Sequence, residues 1–334
     1  MDSIECRCKI LIADGGNDEN LQNHLESNGH YRNLDYTYIR YPYDKSLEKY
    51  YRKLCDVTDK VYTPYVMYAD NDDFIIIDNI NDYIGFLENN SDYGSCGGDS
   101  AALTIYSKSD AIVNACYGQF FNIRRDKSVP SSNELNTGIS RVCRFLERGN
   151  FDKTWFVWYD IQRVDLVRLS HEYIKKYDFK DVVSFEMYRN LSLLLLGKSK
   201  KFDSLFYVRQ SGTSETSSDP DVANNIVERF IRIDAFGEIM NGLVHVDKTM
   251  RDDEKIAINR AFARWISDRA AYIYFSRVST PRILINKIQF FLGNFVLMNL
   301  IIQLLYSLRN LLSPKKVEFL RISSIERAVS NKFE

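Results

Sequence analysis

The stretch TPYVMYADNDDF, residues 63–74, places a run of β-favouring residues directly before three acidic residues, Asp70, Asp72 and Asp73. Like charges that lie close together raise one another's pKa values, so a protein that keeps such carboxylates ionised usually brings positive charge to them. Clustered oxygen ligands suit Mg²⁺ or Mn²⁺. The stretch therefore predicts a strand whose end holds a divalent metal ion and a diphosphate. A solvated acidic turn is the alternative.

The composition is that of a globular protein with nearly balanced charge. The chain has 334 residues, of which 45% are hydrophobic, enough to form a substantial core. Its 44 basic and 45 acidic residues nearly cancel, so it lacks the basic excess with which a protein neutralises nucleic-acid phosphates. Nucleic acid is therefore not an expected partner.

Cysteine usage and the N-terminal sequence indicate a cytoplasmic setting. Six Cys residues are scattered without a CxxC pair and the chain has only four His residues, so neither a zinc site nor a disulfide framework is predicted. The first residues, MDSIECRCKIL, lack the apolar region of a secretory signal. We expect the body of the protein to stay inside the cell.

The first part of the chain alternates between strand and helix patterns. Residues 8–14 form a short apolar run that ends at Asp14 and two glycines, and residues 36–41 read as a second strand. A helical pattern over 45–59 then leads into the stretch 63–74. This alternation of strands and helices predicts an α/β fold with a mostly parallel sheet. Ligands of such sheets collect at the carboxyl ends of strands, where Asp14 and the three acidic residues fall.

Later segments continue the mixed pattern. We expect a glycine-rich turn at 93–99, a polar surface loop at 124–138, a strand over 154–161, a helix over 181–198 and a strand over 204–210.

Two regions are predicted. Residues 1–210 form the α/β unit, and residues 211–334, which open with a Ser/Thr-rich linker, are helical. The stretch 288–308 contains no charged residue and meets the roughly 20 residues of a bilayer span. Its polar residues fall largely on one helical face, which favours a helix in the membrane interface over a buried core helix or a true span.

The order of ILIADGGND (10–18) and then TPYVMYADNDDF resembles the nucleotide-binding half of GT-A glycosyltransferases, especially family-2-like bacterial enzymes that build surface polysaccharides. The resemblance covers roughly residues 8–210. It implies a GT-A fold, a nucleotide-sugar donor, a glycan or lipid-linked acceptor and Mn²⁺ or Mg²⁺ as cofactor. It also implies action at the inner face of the cell membrane.

The resemblance assigns roles to the acidic residues at the two strand ends. Asp14 matches the carboxylate that such enzymes direct at the nucleotide base, although an Asp that caps a turn is the alternative. Asp70 would contact the ribose or the metal, and Asp72 would be the main metal ligand. Asp73 would hold a water molecule or orient Asp72.

Transfer with inversion needs a carboxylate base that takes the proton of the acceptor hydroxyl. In the family the base lies near the start of a helix that follows the acceptor-side strands, which makes Glu186 the first choice here and Asp181 the second. The adjacent Glu-Asp pair usual in the family is replaced by Phe185 and Glu186. A carboxylate favoured by the helix dipole explains Asp181 equally well.

Basic and polar residues are implied at the donor phosphates. Lys49 and Lys53 lie on the helix before the acidic stretch, where the family often has a basic residue, but ordinary surface charge is the alternative. Arg209 and Gln210 match the loop that closes over the diphosphate.

The chain departs from the family at its start. The family opens with a strand and a helix before the ADGG-type strand, and Met1 lies only a few residues before Lys9. We expect either that the sequence belongs to a longer protein or that the sheet lacks one element, and we favour the first.

Two other functions are compatible with strand-end carboxylates. A nucleotidyltransferase would need a glycine-rich phosphate loop with a basic residue, and GGNDEN (15–20) is too acidic for that. A non-catalytic, membrane-associated scaffold derived from a glycosyltransferase is the second alternative.

Overall fold

The computed structural model describes most of the chain up to residue 278. The described residues are 8–16, 20–27, 34–71, 73–105, 121–125, 132–147, 157–177, 179–211 and 235–278. Asp72, most of the expected linker at 211–221 and the uncharged stretch 288–308 lie outside them.

Strands and helices alternate along the described residues. The strands are β1 (Ile10–Asp14), β2 (Tyr36–Arg40), β3 (Tyr65–Val66), β4 (Phe74–Ile75), β5 (Tyr93–Ile105), β6 (Phe121–Arg125), β7 (Ile161–Arg163) and β8 (Lys198–Ser211). The helices are α1 (Leu21–Ser27), α2 (Leu47–Asp59), α3 (Ile80–Asn89), α4 (Gly138–Glu147), α5 (Val164–Ile174), α6 (Val182–Leu196), α7 (Ala235–Val246) and α8 (Asp252–Val278).

The strands form two sheets. Strands β1 and β2 pair in parallel, with Asp14 opposite Arg40 at their ends. The larger sheet has the order β3-β7-β5-β8-β4, and β6 also pairs with β5. Its long central pair, β5 with β8, is parallel, and the other pairs are antiparallel. The predicted α/β class, a mixed sheet with helices against it, is confirmed, but the larger sheet is less parallel than the strand and helix rhythm predicts.

The segment 93–99 was expected to be a turn, and this is wrong, because it is the first half of β5. Two of its glycines, Gly97 and Gly98, allow neighbouring groups to pack closely against the strand. A Cβ atom on Gly97 would lie 2.0 Å from Oδ1 of Asp160, and one on Gly98 would lie 2.3 Å from the carbonyl oxygen of Ser204. Glycine is needed here because neighbouring groups occupy the space of a side chain.

The expected strand over 154–161 is also not formed where it was placed. Residues 157–160 make a turn, and β7 begins at Ile161. The buried amide of Gln162 explains the difference, because its Nε2 donates to the carbonyl oxygens of Val157 and Trp158, at 2.5 and 2.7 Å. These carbonyl groups are thus paired within the turn rather than in a strand ladder.

The predicted helix over 181–198 is confirmed as α6, which lies at the centre of the core. Oδ1 of Asp181 accepts from the backbone N–H groups of Val183 and Ser184, at 2.8 and 3.3 Å, and Gly197 ends the helix. Nearly every side chain of α6 from Phe185 onward is buried, as in a helix surrounded by other elements.

Helices α7 and α8 contribute to the same hydrophobic cluster as α6. Ile239, Phe262 and Trp265 are almost completely buried within it. In the part of the chain that the structure describes, no helix combines the length and the apolar character needed to cross a bilayer.

Candidate functional site

The acidic turn between β3 and β4 is fastened to β8. Phe74 pairs with Val208, which brings the turn beside the C-terminal half of that strand. Oδ1 of Asp73 accepts from the backbone N–H of Gln210 at 2.8 Å, and its Oδ2 accepts from the Tyr207 hydroxyl. Both carboxylate oxygens of Asp73 therefore hold the turn in place.

Asp70 lies on the same turn and is held by a second tyrosine. The Tyr159 hydroxyl donates to its Oδ2 at 2.6 Å, while the Asp70 residue as a whole is exposed. The rings of Tyr159 and Tyr207 are stacked, with centroids 4.0 Å apart and planes at 15°. A stacked pair of tyrosines thus donates to two carboxylates of the acidic turn.

Both phenols are kept protonated by their surroundings. Burial, and then the negative charge of Asp70, raises the pKa of Tyr159 well above its ordinary value. Burial also raises the pKa of Tyr207, with further contributions from Tyr159 and Asp73. The raised pKa values keep both phenols protonated at neutral pH, so both hydroxyl groups can act as donors.

The acidic turn fits a divalent cation in part. Asp70 supplies an exposed carboxylate of the kind that Mg²⁺ and Mn²⁺ bind, whereas the oxygens of Asp73 accept hydrogen bonds from β8. Asp72 falls outside the described residues. Within the described ranges no three His, Cys, Asp or Glu side chains are grouped so as to hold a metal ion. Among the described residues of the turn, Asp70 is therefore the carboxylate that suits a cation best, and the predicted role of Asp72 stays a prediction.

Tyr50 of α2 links the acidic turn to the predicted base. Burial, followed by the negative charges of Asp70 and Glu186, raises the pKa of the Tyr50 phenol. The half-buried Glu186, in the second turn of α6, thus acts on the same phenol as the acidic turn. Asp70 and Glu186, two of the predicted site residues, therefore both lie within electrostatic reach of Tyr50.

Asp181 has a different environment. It is 2% exposed and serves as the N-cap of α6, and its backbone carbonyl accepts from the Tyr51 hydroxyl at 3.3 Å. This geometry is that of the helix-capping alternative.

Asp14 ends β1 in a network of hydrogen bonds. Its Oδ1 accepts from the backbone N–H of Gly16 at 2.8 Å, and its Oδ2 accepts from the Tyr38 hydroxyl at 2.5 Å and from Arg40. Burial raises the pKa of this carboxyl, but the hydrogen bonds from Tyr38, Gly16 and Arg40 outweigh it, so the pKa is lowered. The carboxylate both caps the turn and stays ionised.

The two predicted lysines differ in their surroundings. Lys53 forms an ion pair with Asp44, whose carboxylate lies where a side chain on Gly15 would be, 2.4 Å from an added Cβ. The ammonium group also lies 5.4 Å from the centre of the Tyr50 ring. Lys53 therefore stands between the glycine turn after β1 and Tyr50, whereas Lys49 is exposed on the surface of α2.

Gln210 contacts the acidic turn, and Arg209 acts electrostatically on Tyr159. The positive charge of Arg209 is close enough to Tyr159 to oppose the rise in the pKa of that phenol. Gln210 contributes through its backbone N–H to Asp73. Both residues lie on β8, and their predicted contact with the donor diphosphate stays a prediction.

Tyr50, Tyr159 and Tyr207 were not predicted as site residues. Tyr207 precedes Arg209 by two residues in a stretch already assigned to the site, and this proximity was the only sequence signal for it. Tyr159 is 89 residues from its partner Asp70, and no spacing rule connects them.

A separate cleft of about 630 Å³ lies between α3 and the first half of β8 and is lined by residues that include Asn79, Phe86 and Phe202. None of the acidic-turn residues lines it, so size alone does not identify the site.

Comparisons with known proteins find likeness to solved structures only. No protein-family model matches the chain, and no curated protein matches it. The crystal structure of S. aureus TarS 1–349 has a TM-score of 0.39 at 12% identity, covering 80% of this chain and 81% of that one. Its complex with UDP has a TM-score of 0.40 at 13% identity, covering 83% of this chain and 84% of that one. Its complex with UDP-GlcNAc has a TM-score of 0.39 at 12% identity, covering 80% of this chain and 82% of that one. Likeness of this degree assigns no residue role to this chain.

The lowered pKa of Asp14 predicts a pH-dependent effect of Asp14→Asn. A carboxyl whose pKa is lower in the folded than in the unfolded protein stabilises the fold above its unfolded pKa, and this contribution disappears as pH falls through the folded pKa. The variant should therefore unfold at lower urea concentration than the wild type at pH 7, and the difference should shrink below about pH 4. Tyr38→Phe should reduce the same difference, and a wild-type advantage that stayed constant down to pH 3 would contradict the assignment.

Proposed function

We propose that this chain is a metal-dependent glycosyltransferase of GT-A type that moves a sugar from a nucleotide-diphosphate donor to a glycan or lipid-linked acceptor. The proposal rests on one observation, the acidic turn that β8 and the stacked tyrosines hold in place and whose Asp70 acts electrostatically on the same phenol, Tyr50, as Glu186. A carboxylate suited to a metal and a carboxylate suited to a base are thus both within electrostatic reach of one phenol. We place the reaction in bacterial surface polysaccharide synthesis because of the motif resemblance alone.

The donor would bind at the acidic turn. Asp70 and Asp72 would hold Mn²⁺ or Mg²⁺, which supplies Lewis-acid stabilisation of a departing diphosphate. Asp73, bound to Tyr207 and Gln210, would keep the turn in place. Arg209 adds positive charge beside the turn, where the phosphates would lie.

The nucleotide end of the donor would lie toward the end of β1. Asp14 stays ionised there and can accept hydrogen bonds from a nucleotide base, as the resemblance implies. Lys53 pairs with Asp44 beside this turn and lies over the ring of Tyr50. S. aureus TarS has been crystallised with UDP and with UDP-GlcNAc, and these ligands are suitable probes for the present site.

Glu186 is the proposed general base. It is half-buried on α6 and acts electrostatically on the same phenol as Asp70. In an inverting transfer it would take the proton of the acceptor hydroxyl as that oxygen attacks the anomeric carbon. Asp181 is the second choice.

The acceptor and the membrane are assigned to the C-terminal part. The uncharged stretch 288–308 is proposed to lie in the interface at the cytoplasmic face of the membrane and so bring the site to a lipid-linked acceptor. The full chain should float with anionic phospholipid vesicles, and a chain that ends at residue 287 should remain at the bottom of the gradient. Equal flotation of both chains would reject the assignment.

The metal role predicts that Asp72→Ala abolishes transfer from UDP-GlcNAc without unfolding the protein. Loss of a carboxylate ligand should also remove the Mn²⁺ dependence of UDP-GlcNAc binding, measured by calorimetry. Asp59→Ala, at an exposed carboxylate at the end of α2, is the matched control and should retain both properties. Full turnover of Asp72→Ala at saturating Mn²⁺ would rule out the metal role, and a wild type that binds without turnover would favour the scaffold alternative.

The base role predicts that Glu186→Gln lowers kcat by roughly 10²–10⁴ while leaving donor binding unchanged, because the amide keeps the shape but cannot accept the proton. Glu172→Gln on the surface of α5 is the control. If only Asp181→Asn lost activity in the folded state, the order of the two candidates would be reversed.

A further inference from the structure

Arg189 is a buried cation with little hydrogen bonding. It lies on α6, is 1% exposed, and its Nε and Nη1 donate to no acceptor among the described residues. Buried charged groups are usually paired, since an unpaired one is expensive to remove from water. A neutral side chain would fill the same core position at lower cost, so the position of this guanidinium calls for a reason other than core stability.

The guanidinium is placed between two aromatic rings. Its central carbon lies 4.1 Å from the centre of the Tyr68 ring and 4.0 Å from that of Trp158. Cation–π contacts of this length are attractive, more so when they are shielded from water. Tyr68 precedes Asp70 by two residues and Trp158 directly precedes Tyr159. One cation therefore contacts both segments that meet in the Asp70–Tyr159 hydrogen bond.

Hydrogen bonds from the same part of α6 fix the turn that carries Tyr159. Nη2 of Arg189 donates to Oε1 of Gln162 at 3.0 Å, and Nε2 of Gln162 donates to the carbonyl oxygens at the start of the turn. The neighbouring Asn190 accepts from the backbone N–H of Val157 at 2.8 Å. The turn is thus attached to α6 at several points.

Arg141 shows what a purely structural buried arginine looks like in this protein. It is 5% exposed, and its Nε, Nη1 and Nη2 donate to backbone carbonyl oxygens of the segments 135–136 and 194–195. Its donors are satisfied, and its contacts are remote in sequence from the acidic turn. The contrast indicates that the two arginines have different tasks.

We propose that Arg189 is a positioning residue that sets the Asp70–Tyr159 contact, and through it the orientation of Asp70 relative to Glu186. The inference rests on the proposed function for its catalytic meaning, but the contact itself is a property of the fold. Glu186 lies three residues before Arg189 on α6, so one rigid helix carries both the base and the residue that positions the acidic turn. The arginine acts through the two rings and Gln162, without touching a substrate.

A double-mutant cycle tests the contact without any assay of activity. Urea unfolding of wild type, Arg189→Lys, Tyr159→Phe and the double variant should show that Tyr159→Phe shifts the midpoint much less when Arg189 is replaced, because the hydrogen bond is then already displaced. Arg141→Lys with Tyr159→Phe is the matched control, and its effects should add. Additive effects of Arg189→Lys and Tyr159→Phe would overturn the proposal.

If Arg189→Lys does not fold, a second variant allows the same coupling to be measured. Gln162→Met removes the hydrogen-bonded link between Arg189 and the turn while retaining an unbranched side chain, and it should be coupled to Tyr159→Phe in the same way. Additivity in this cycle would count against the proposal as directly as additivity in the first.

Kinetics separate this inference from the proposed function. With UDP-GlcNAc and Mn²⁺, Arg189→Lys should lower kcat by about tenfold to a hundredfold, and Tyr159→Phe should add little to that loss, whereas Arg141→Lys should leave the kcat of the folded enzyme unchanged. Wild-type protein without transferase activity but with a coupled cycle would reject the proposed function and keep the positioning role. An active wild type whose mutant cycle is additive would keep the proposed function and reject the positioning role.

Discussion

The site depends on how the negative charge of the acidic turn between β3 and β4 is stabilised. Asp70 and Asp73 lie on this turn, and hydrogen bonds from Tyr159, Tyr207 and the backbone of Gln210 reach their carboxylates. Two buried phenols and one backbone N–H neutralise part of the repulsion by donating hydrogen bonds. Because phenols carry no positive charge, their hydrogen bonds stabilise the two carboxylates without cancelling the negative charge.

Helix α6 organises the elements around that turn. Its N-cap is Asp181, the proposed base Glu186 follows in its second turn, and Arg189 and Asn190 hold the turn that carries Tyr159. Because the helix is buried on all sides, these groups cannot move independently of the core. A site built on a rigid central element keeps its geometry when ligands bind at its rim.

Local sequence patterns predicted much of this fold. The bounds of β1, β2, α2 and α6 follow from apolar runs, helical periodicity, a cap and a stop, all of which act within a few residues. The turn predicted at 93–99 is wrong because Gly97 and Gly98 serve close packing against Asp160 and Ser204, which no local pattern reveals. The strand predicted near residue 157 is a turn because Gln162 pairs with its carbonyl groups.

The candidate site was predictable only in part, for the same reason. Asp14 and Asp70 stand out because they follow predicted strands, where carboxylates can meet a ligand, whereas Glu186 was chosen from the family resemblance. Tyr159 and Tyr207 contact the acidic turn across 89 and 134 residues of sequence, and Arg189 reaches it through intermediate rings, so tertiary structure alone defines them. Strands β3 and β4, which flank the turn, have only two residues each, whereas β5 and β8 have 13 and 14. Two-residue strands supply few ladder hydrogen bonds, so the side-chain hydrogen bonds of Asp70 and Asp73 make up a large share of the attachment between this turn and the rest of the protein.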